Sequence, residues 1–273
     1  MKKQTPHKPL PKSVKWLWGI VFAPFALLLL LLLLTAAGLF GRLPSFEELE
    51  NPKSNLATEI LSSDGKVLGT FFVQNRSYVQ YDELFPLDSA QLLRLDGYDV
   101  PPIIAALIST EDVRYRGHSG IDLMSLVRVG VKTVLMQNTS QGGGSTISQQ
   151  TAKNVFCLPA RTWLRKGVEA WFTVLIETFW SKRRIMEVYL NVIETGRNMY
   201  GVEAPARDVY GKTAAELNAY EASMIATVLP NPLRRDMAAP SGYMVRRAAQ
   251  VRSLMGKLGP IEFDRPEGGK DKN

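Results

Sequence analysis

Hydrophobic and polar positions divide this chain into regions of different character. Residues 16–41 carry no charge and include eight consecutive leucines, Leu27 to Leu34. At ~1.5 Å per residue a helix of that length crosses the ~30 Å hydrocarbon core of a bilayer. A cleaved signal peptide ending near Thr35-Ala36-Ala37 is the alternative, but signal h-regions run to only ~7–15 residues. The pattern therefore predicts a retained transmembrane helix over 16–41. Lys2, Lys3, Lys8, Lys12 and Lys15 precede it, which leaves a tail at 1–15 in the cytoplasm and everything after Arg42 outside. Residues 42–57 read as a polar linker.

Apolar and polar side chains alternate over 58–81 around Asp64-Gly65, which predicts a hairpin followed by a third strand. This is the one convincing β region, and 58–100 is expected to be a small β-containing segment. From 101 to 259 the period is helical. Pro101-Pro102 opens a helix over 103–109, and Thr146 with Gln149 and Thr213 with Glu216 have the spacing of capping boxes. Apolar-periodic stretches cover 121–136, 163–180, 185–193 and 243–258. A disordered tail is expected over 260–273, where 265–273 lacks apolar residues.

Composition adds few constraints. With 273 residues, one catalytic domain plus an anchor is the simplest division. The net charge of +7 favours anionic partners, whether nucleic acid, membrane surface or phosphate-bearing substrate. Cys157 is the single cysteine, so no intrachain disulfide forms, and Val155-Phe156-Cys157-Leu158 suits a small core residue. With only His7 and His118 present, a histidine-rich metal site is disfavoured and acid/base chemistry should fall to carboxylates.

Three segments are unusual for a helical core. In the first, Glu111-Asp112-Val113-Arg114-Tyr115-Arg116-Gly117-His118-Ser119-Gly120, Glu111 stands where an apolar run stops. A partly desolvated carboxylate there would suit a general base, and a surface Glu-Asp pair ending a helix explains the segment equally well. In the second, Gly142-Gly143-Gly144-Ser145-Thr146 leads into a capped helix carrying Gln150, Lys153 and Asn154. Free N–H groups at a helix start bind anions; glycine content alone favours a flexible surface loop, and Lys153 shifts the balance toward anion binding. In the third, Arg165 and Lys166 stand four and three residues before Glu169. Ordinary helical ion pairs of this kind contribute only ~0.3–0.5 kcal/mol, and the cation-first order is the less favourable one.

Taken together and in order, these segments resemble the peptidoglycan glycosyltransferases found as the first domain of bifunctional penicillin-binding proteins and as stand-alone enzymes. The likeness also includes Lys182-Arg183-Arg184-Ile185-Met186-Glu187-Val188-Tyr189-Leu190-Asn191 and Gly201-Val202-Glu203-Ala204 through Tyr210-Gly211-Lys212. Gln149-Gln150-Thr151-Ala152-Lys153-Asn154 and Val228-Leu229-Pro230-Asn231-Pro232-Leu233-Arg234 look most like the monofunctional biosynthetic type. Ser63-Asp64-Gly65-Lys66 fits the Ser-x-x-Lys of a transpeptidase, but it lies on a predicted turn and no Lys-Thr-Gly or Ser-Asp-Asn element accompanies it.

The resemblance implies a mostly α, lysozyme-like, two-lobed domain that polymerises lipid II with inversion and releases undecaprenyl pyrophosphate. It implies Glu111 as base and Glu169 as second carboxylate, with Lys153, Arg165, Lys166, Gln150, Ser145, Thr146, Asn154 and His118 binding substrate or pyrophosphate. No cofactor or metal site is implied, although magnesium or manganese near the carboxylates is compatible with it. Expected partners are lipid II, the growing glycan chain, membrane lipid and cell-wall synthesis proteins, not nucleic acid. The expected location is the cytoplasmic membrane, with the domain on its outer face. A stripe of Leu123, Val127, Val131, Val134 and Leu135, with Arg128 and Lys132 off it, reads as core, while the resemblance sets this lobe against the bilayer. A glycan-cleaving hydrolase and a catalytically silent membrane scaffold are the rival readings.

Overall fold

The computed structural model describes residues 58–61, 67–71, 75–85, 92–95, 98–122, 124, 144–157, 163–259 and 261, with scattered positions between 22 and 39. Two compact units divide at Pro52. In the first, residues 29–35 are helical. Among the described residues no helix is long and apolar enough to cross a membrane. Only part of the expected 16–41 span lies among them, and most of the 121–136 stretch, the glycines at 142 and 143 and nearly all of the tail lie outside.

The second unit is mostly helical. Its helices are α1 (Pro102–Glu111), α2 (Ile147–Phe156), α3 (Trp163–Phe179), α4 (Lys182–Val192), α5 (Glu203–Tyr210), α6 (Ala219–Val228) and α7 (Gly242–Met255). Strands β1 (Thr58–Leu61) and β2 (Val67–Phe71) form the expected antiparallel hairpin. The third strand, β3 (Asn75–Arg76), does not join that hairpin. It pairs in parallel with β7 (Met199–Tyr200), which pairs antiparallel with β6 (Glu194–Gly196). A further antiparallel pair, β4 (Leu93–Leu95) and β5 (Tyr98–Val100), precedes α1. The expectation of a single β region is thus corrected: two- and three-residue strands are too short to show a period.

Helix α1 starts with proline inside its first turn, where the missing N–H is no loss, and everything from Pro102 to Ser109 is buried. Helix α6 is buried from Ala222 to Val228. Helices apolar all round belong at the centre of a fold, and these two pack on one another with α7 closing over both. Helix α2 packs instead against α3 and α4. There Phe156 stacks on Phe172 with ring centroids 4.6 Å apart.

Helix starts follow their caps. Thr146 and Gln149 form the reciprocal capping box of α2, and Ser181 and Ser241 cap α4 and α7. The Thr213–Glu216 box is present, but it opens only a 3-10 turn at Ala214–Glu216; α6 begins after a second box, Asn218 with Glu221. The Glu187 and Asn191 side chains of α4 anchor the segment ahead of α1. Asn191 Oδ1 accepts from Val79 N (2.9 Å) while its Nδ2 donates to Val79 O (2.9 Å), as a neighbouring strand would. Glu187 accepts from Tyr81 N (3.1 Å) and the Tyr78 hydroxyl (3.2 Å).

Candidate active site

The apolar run of α1 ends by delivering Glu111, its last residue, to the start of the site. Glu111 Oε2 accepts a 2.8 Å hydrogen bond from Gln150 Nε2, and the carbonyl of the same amide faces the Tyr189 hydroxyl at 3.4 Å. Burial pushes the Glu111 pKa above the ordinary carboxylate value. The Gln150 hydrogen bond and the charges of Lys153 and Arg247 partly oppose that rise. A general base needs this environment: desolvated enough to hold a proton, yet faced by cations that keep its charged form accessible.

Asp112, the next residue, turns inward and ties three pieces of chain together. Its carboxylate accepts from Ile147 N (3.0 Å) at the first turn of α2, where helix partial charge favours an acid. Both oxygens also meet His118 Nε2, at 2.9 and 3.0 Å. Gly120 N donates to His118 Nδ1 (3.1 Å), so Nδ1 is the bare nitrogen and Nε2 carries the proton given to Asp112. Both His118 ring nitrogens are therefore used inside the protein. The Thr146 hydroxyl is too, since it accepts from Gln149 N and donates to the Gly120 carbonyl.

Helix α3 supplies the second carboxylate. Glu169 is 2% exposed, with Oε2 accepting from Arg165 Nη1 at 3.3 Å and Oε1 from Lys166 Nζ. Lys166 also donates to Ser145 Oγ (3.1 Å), which fastens α3 to the turn ahead of α2. On α2, Lys153 and Asn154 are exposed, and among the described residues Lys153 has no carboxylate within ion-pair distance. The charge of Lys153 opposes the pKa rise at Glu111 and also at the Cys157 thiol, which burial and Glu169 raise and Arg165 and Lys166 lower. Cys157 is half-buried at the end of α2 rather than in the core, and burial raises its pKa.

Glu111 and Gln150 thus meet at the end of α1, and Ser145, Arg165, Lys166 and Glu169 are joined at the start of α3. His118 and Thr146 build the frame between them. Sequence reasoning did not select Arg247, Asp112, Tyr189 or Glu177. Glu177 accepts from Ser148 Oγ and from Lys182 Nζ (2.6 Å), and Lys182 stands 4.6 Å over the Tyr115 ring, so it braces the same frame. Asp112 and Tyr189 carried a signal, their places in the segments Glu111 to Gly120 and Lys182 to Asn191.

The end of α1 thus holds a carboxylate whose pKa is raised by desolvation, bound to Gln150 and opposed by the charges of Lys153 and Arg247. Residues 64–256 match the family model described as Transglycosylase, and the chain belongs to that family. Proteins named biosynthetic peptidoglycan transglycosylase are similar to it. That of Shewanella oneidensis is 44% identical over 165 residues, covering 59% of this chain and 68% of the relative. That of Aeromonas hydrophila is 46% identical over 163 residues, 59% of this chain and 67% of the relative. That of Yersinia pseudotuberculosis is 39% identical over 200 residues, 72% of this chain and 77% of the relative.

Proposed function

We propose that this chain polymerises lipid II into β-1,4-linked glycan strands, with inversion at the donor anomeric carbon and release of undecaprenyl pyrophosphate, and that it has no transpeptidase activity. The observation that carries this reading is Glu111 at the end of the buried α1, held by Gln150 Nε2 at 2.8 Å and raised in pKa by desolvation, with the charge of Lys153 opposing that rise. Membership of the transglycosylase family and the names of the relatives support the substrate class.

The geometry divides the labour. Gln150 holds Glu111 Oε2, which leaves Oε1 to take the proton from the acceptor 4-hydroxyl. The acceptor oxygen then attacks the donor anomeric carbon, and the bond to the pyrophosphate oxygen breaks. Negative charge collects on that leaving group, where Lys153, Arg165 and Lys166 meet it. A pyrophosphate leaves without a strong acid, so cations are what the site must supply. Glu169 has both oxygens engaged by its own helix, so its role is to aim Arg165 and Lys166, not to act as a nucleophile.

On this reading the two helix groups, α1–α6–α7 and α2–α3–α4, are lobes of a lysozyme-like domain with the site between them. The apolar 16–41 segment anchors the chain in the cytoplasmic membrane with residues 1–15 inside and the domain outside. The test is to incubate the purified full-length chain with labelled lipid II in detergent and separate the products by size. A ladder of long strands, abolished by moenomycin, is the expected result. No polymer, or shortening of preformed glycan, would overturn the reading.

A further inference from the structure

The turn between β6 and β7 and the loop after α6 close around a cavity of about 290 Å³. Arg197, Met199, Val209, Leu233, Arg234 and Asp236 are among its lining residues. The apolar part is open to solvent, with Leu233 57% exposed. Arg235, also in the wall, is occupied: it donates to the Thr227 carbonyl and lies 5.2 Å over the Tyr243 ring. Arg197 and Arg234 are exposed and, among the described residues, have no carboxylate partner. Asp236 adds a single carboxylate, one oxygen of which accepts from Ala238 N (2.9 Å).

The loop after α6 and the helix α7 that follows it are rich in cations. Between residues 230 and 257 the chain has six cations, Arg234, Arg235, Arg246, Arg247, Arg252 and Lys257, against the one acid Asp236. Tyr243, under Arg235, is one turn before Arg247 on α7, and Arg247 is the residue whose charge reaches Glu111.

We propose that this cavity binds the peptide arm of the glycan substrate, a short chain of small apolar residues bearing carboxylates. The proposal rests on the glycan-polymerising reading above. The sugars of such a substrate are neutral, and its pyrophosphate belongs with Lys153, Arg165 and Lys166, so the remaining negative charge is on the peptide. Arg197 and Arg234 take its carboxylates, Met199, Val209 and Leu233 take its methyl groups, and Asp236 faces any ammonium group it carries. Two partly exposed charge contacts are worth about three- to tenfold in specificity.

The experiment compares two donors and acceptors of identical lipid and sugar, one with the peptide and one without, on the wild-type chain and the Arg197→Gln/Arg234→Gln double variant. Melting curves confirm that both proteins fold. The wild type should use the peptide-bearing substrate about three- to tenfold better in kcat/KM, and the double variant should lose that preference by slowing on the peptide-bearing substrate alone. Indifference of the wild type to the peptide, an equal loss on both substrates or retained preference in the double variant would each overturn the proposal. Failure of the wild type to polymerise either substrate would instead count against the glycan-polymerising reading.

Discussion

Changing Asp112 to Asn should unfasten the site without touching substrate. The carboxylate is 3% exposed and takes hydrogen bonds from His118 Nε2 and Ile147 N at 2.9–3.0 Å. Asn keeps one acceptor but turns the other oxygen into an N–H donor, which must face one of those two donors. A hydrogen bond to a charged group contributes about 1.5–3 kcal/mol, and a buried donor left without an acceptor costs about 1–3 kcal/mol. The change should therefore destabilise the domain by about 2–4 kcal/mol, or roughly 5–15 °C in Tm for a domain of this size. Thermal unfolding of the full-length chain in detergent, followed by circular dichroism, reads this directly. The double variant Asp112→Asn/His118→Ala should lose less than the sum of its single changes, because both act on one contact. A Tm within about 2 °C of wild type would refute the claim that Asp112 joins α1 to α2.

Gly120→Ala should be at least as damaging: φ is +87°, and an added Cβ would lie 2.7 Å from Thr173 Cγ2 and 2.9 Å from Glu177 Cγ, so a loss of about 2–4 kcal/mol should appear in urea unfolding. Polymerisation should fall as pH drops through a Glu111 pKa above the usual Glu value of 4.5, and a pH–rate profile should place its acid limb there. The same raised pKa means the folded state binds the Glu111 proton more tightly than the unfolded state, so this group costs stability once pH exceeds 4.5. Glu111→Gln should accordingly raise Tm at neutral pH, a gain that fades as pH falls toward 4.5. Lys153→Ala should weaken donor affinity and turnover together, since its charge serves the pyrophosphate before and during bond breaking; steady-state kinetics with varied donor would show both.

The helices were legible in the sequence because their causes are local. Proline at the start of α1, the Thr146–Gln149 box and the apolar period of α3, α4 and α7 each act within a turn or two. The Thr213–Glu216 box misled because a cap fixes where a helical turn begins, not how far it runs. Strands β6 and β7 were invisible because three and two residues show no period, and the strand that completes their sheet, β3, lies more than a hundred residues away.

The candidate site divides along the same line. Glu169 with Arg165 and Lys166 could be read from helical spacing and Lys153 from its place on a capped helix, whereas Gln150 came from the family resemblance. Arg247 could not, because Arg246, Arg247 and Arg252 share one helix and nothing local says which of them approaches Glu111. Asp112 looked like half of a surface acidic pair; its task appears only once α2 and His118 are brought to it.

The central claim is that Glu111 is the base of a glycan-forming reaction. The most direct measurement is the rate of lipid II polymerisation by the Glu111→Gln chain, which keeps size and hydrogen bonding but has no proton acceptor, with lipid II binding measured alongside. Turnover should fall by ~10²–10⁴ while binding is largely kept. Near wild-type polymerisation by the variant would contradict the account.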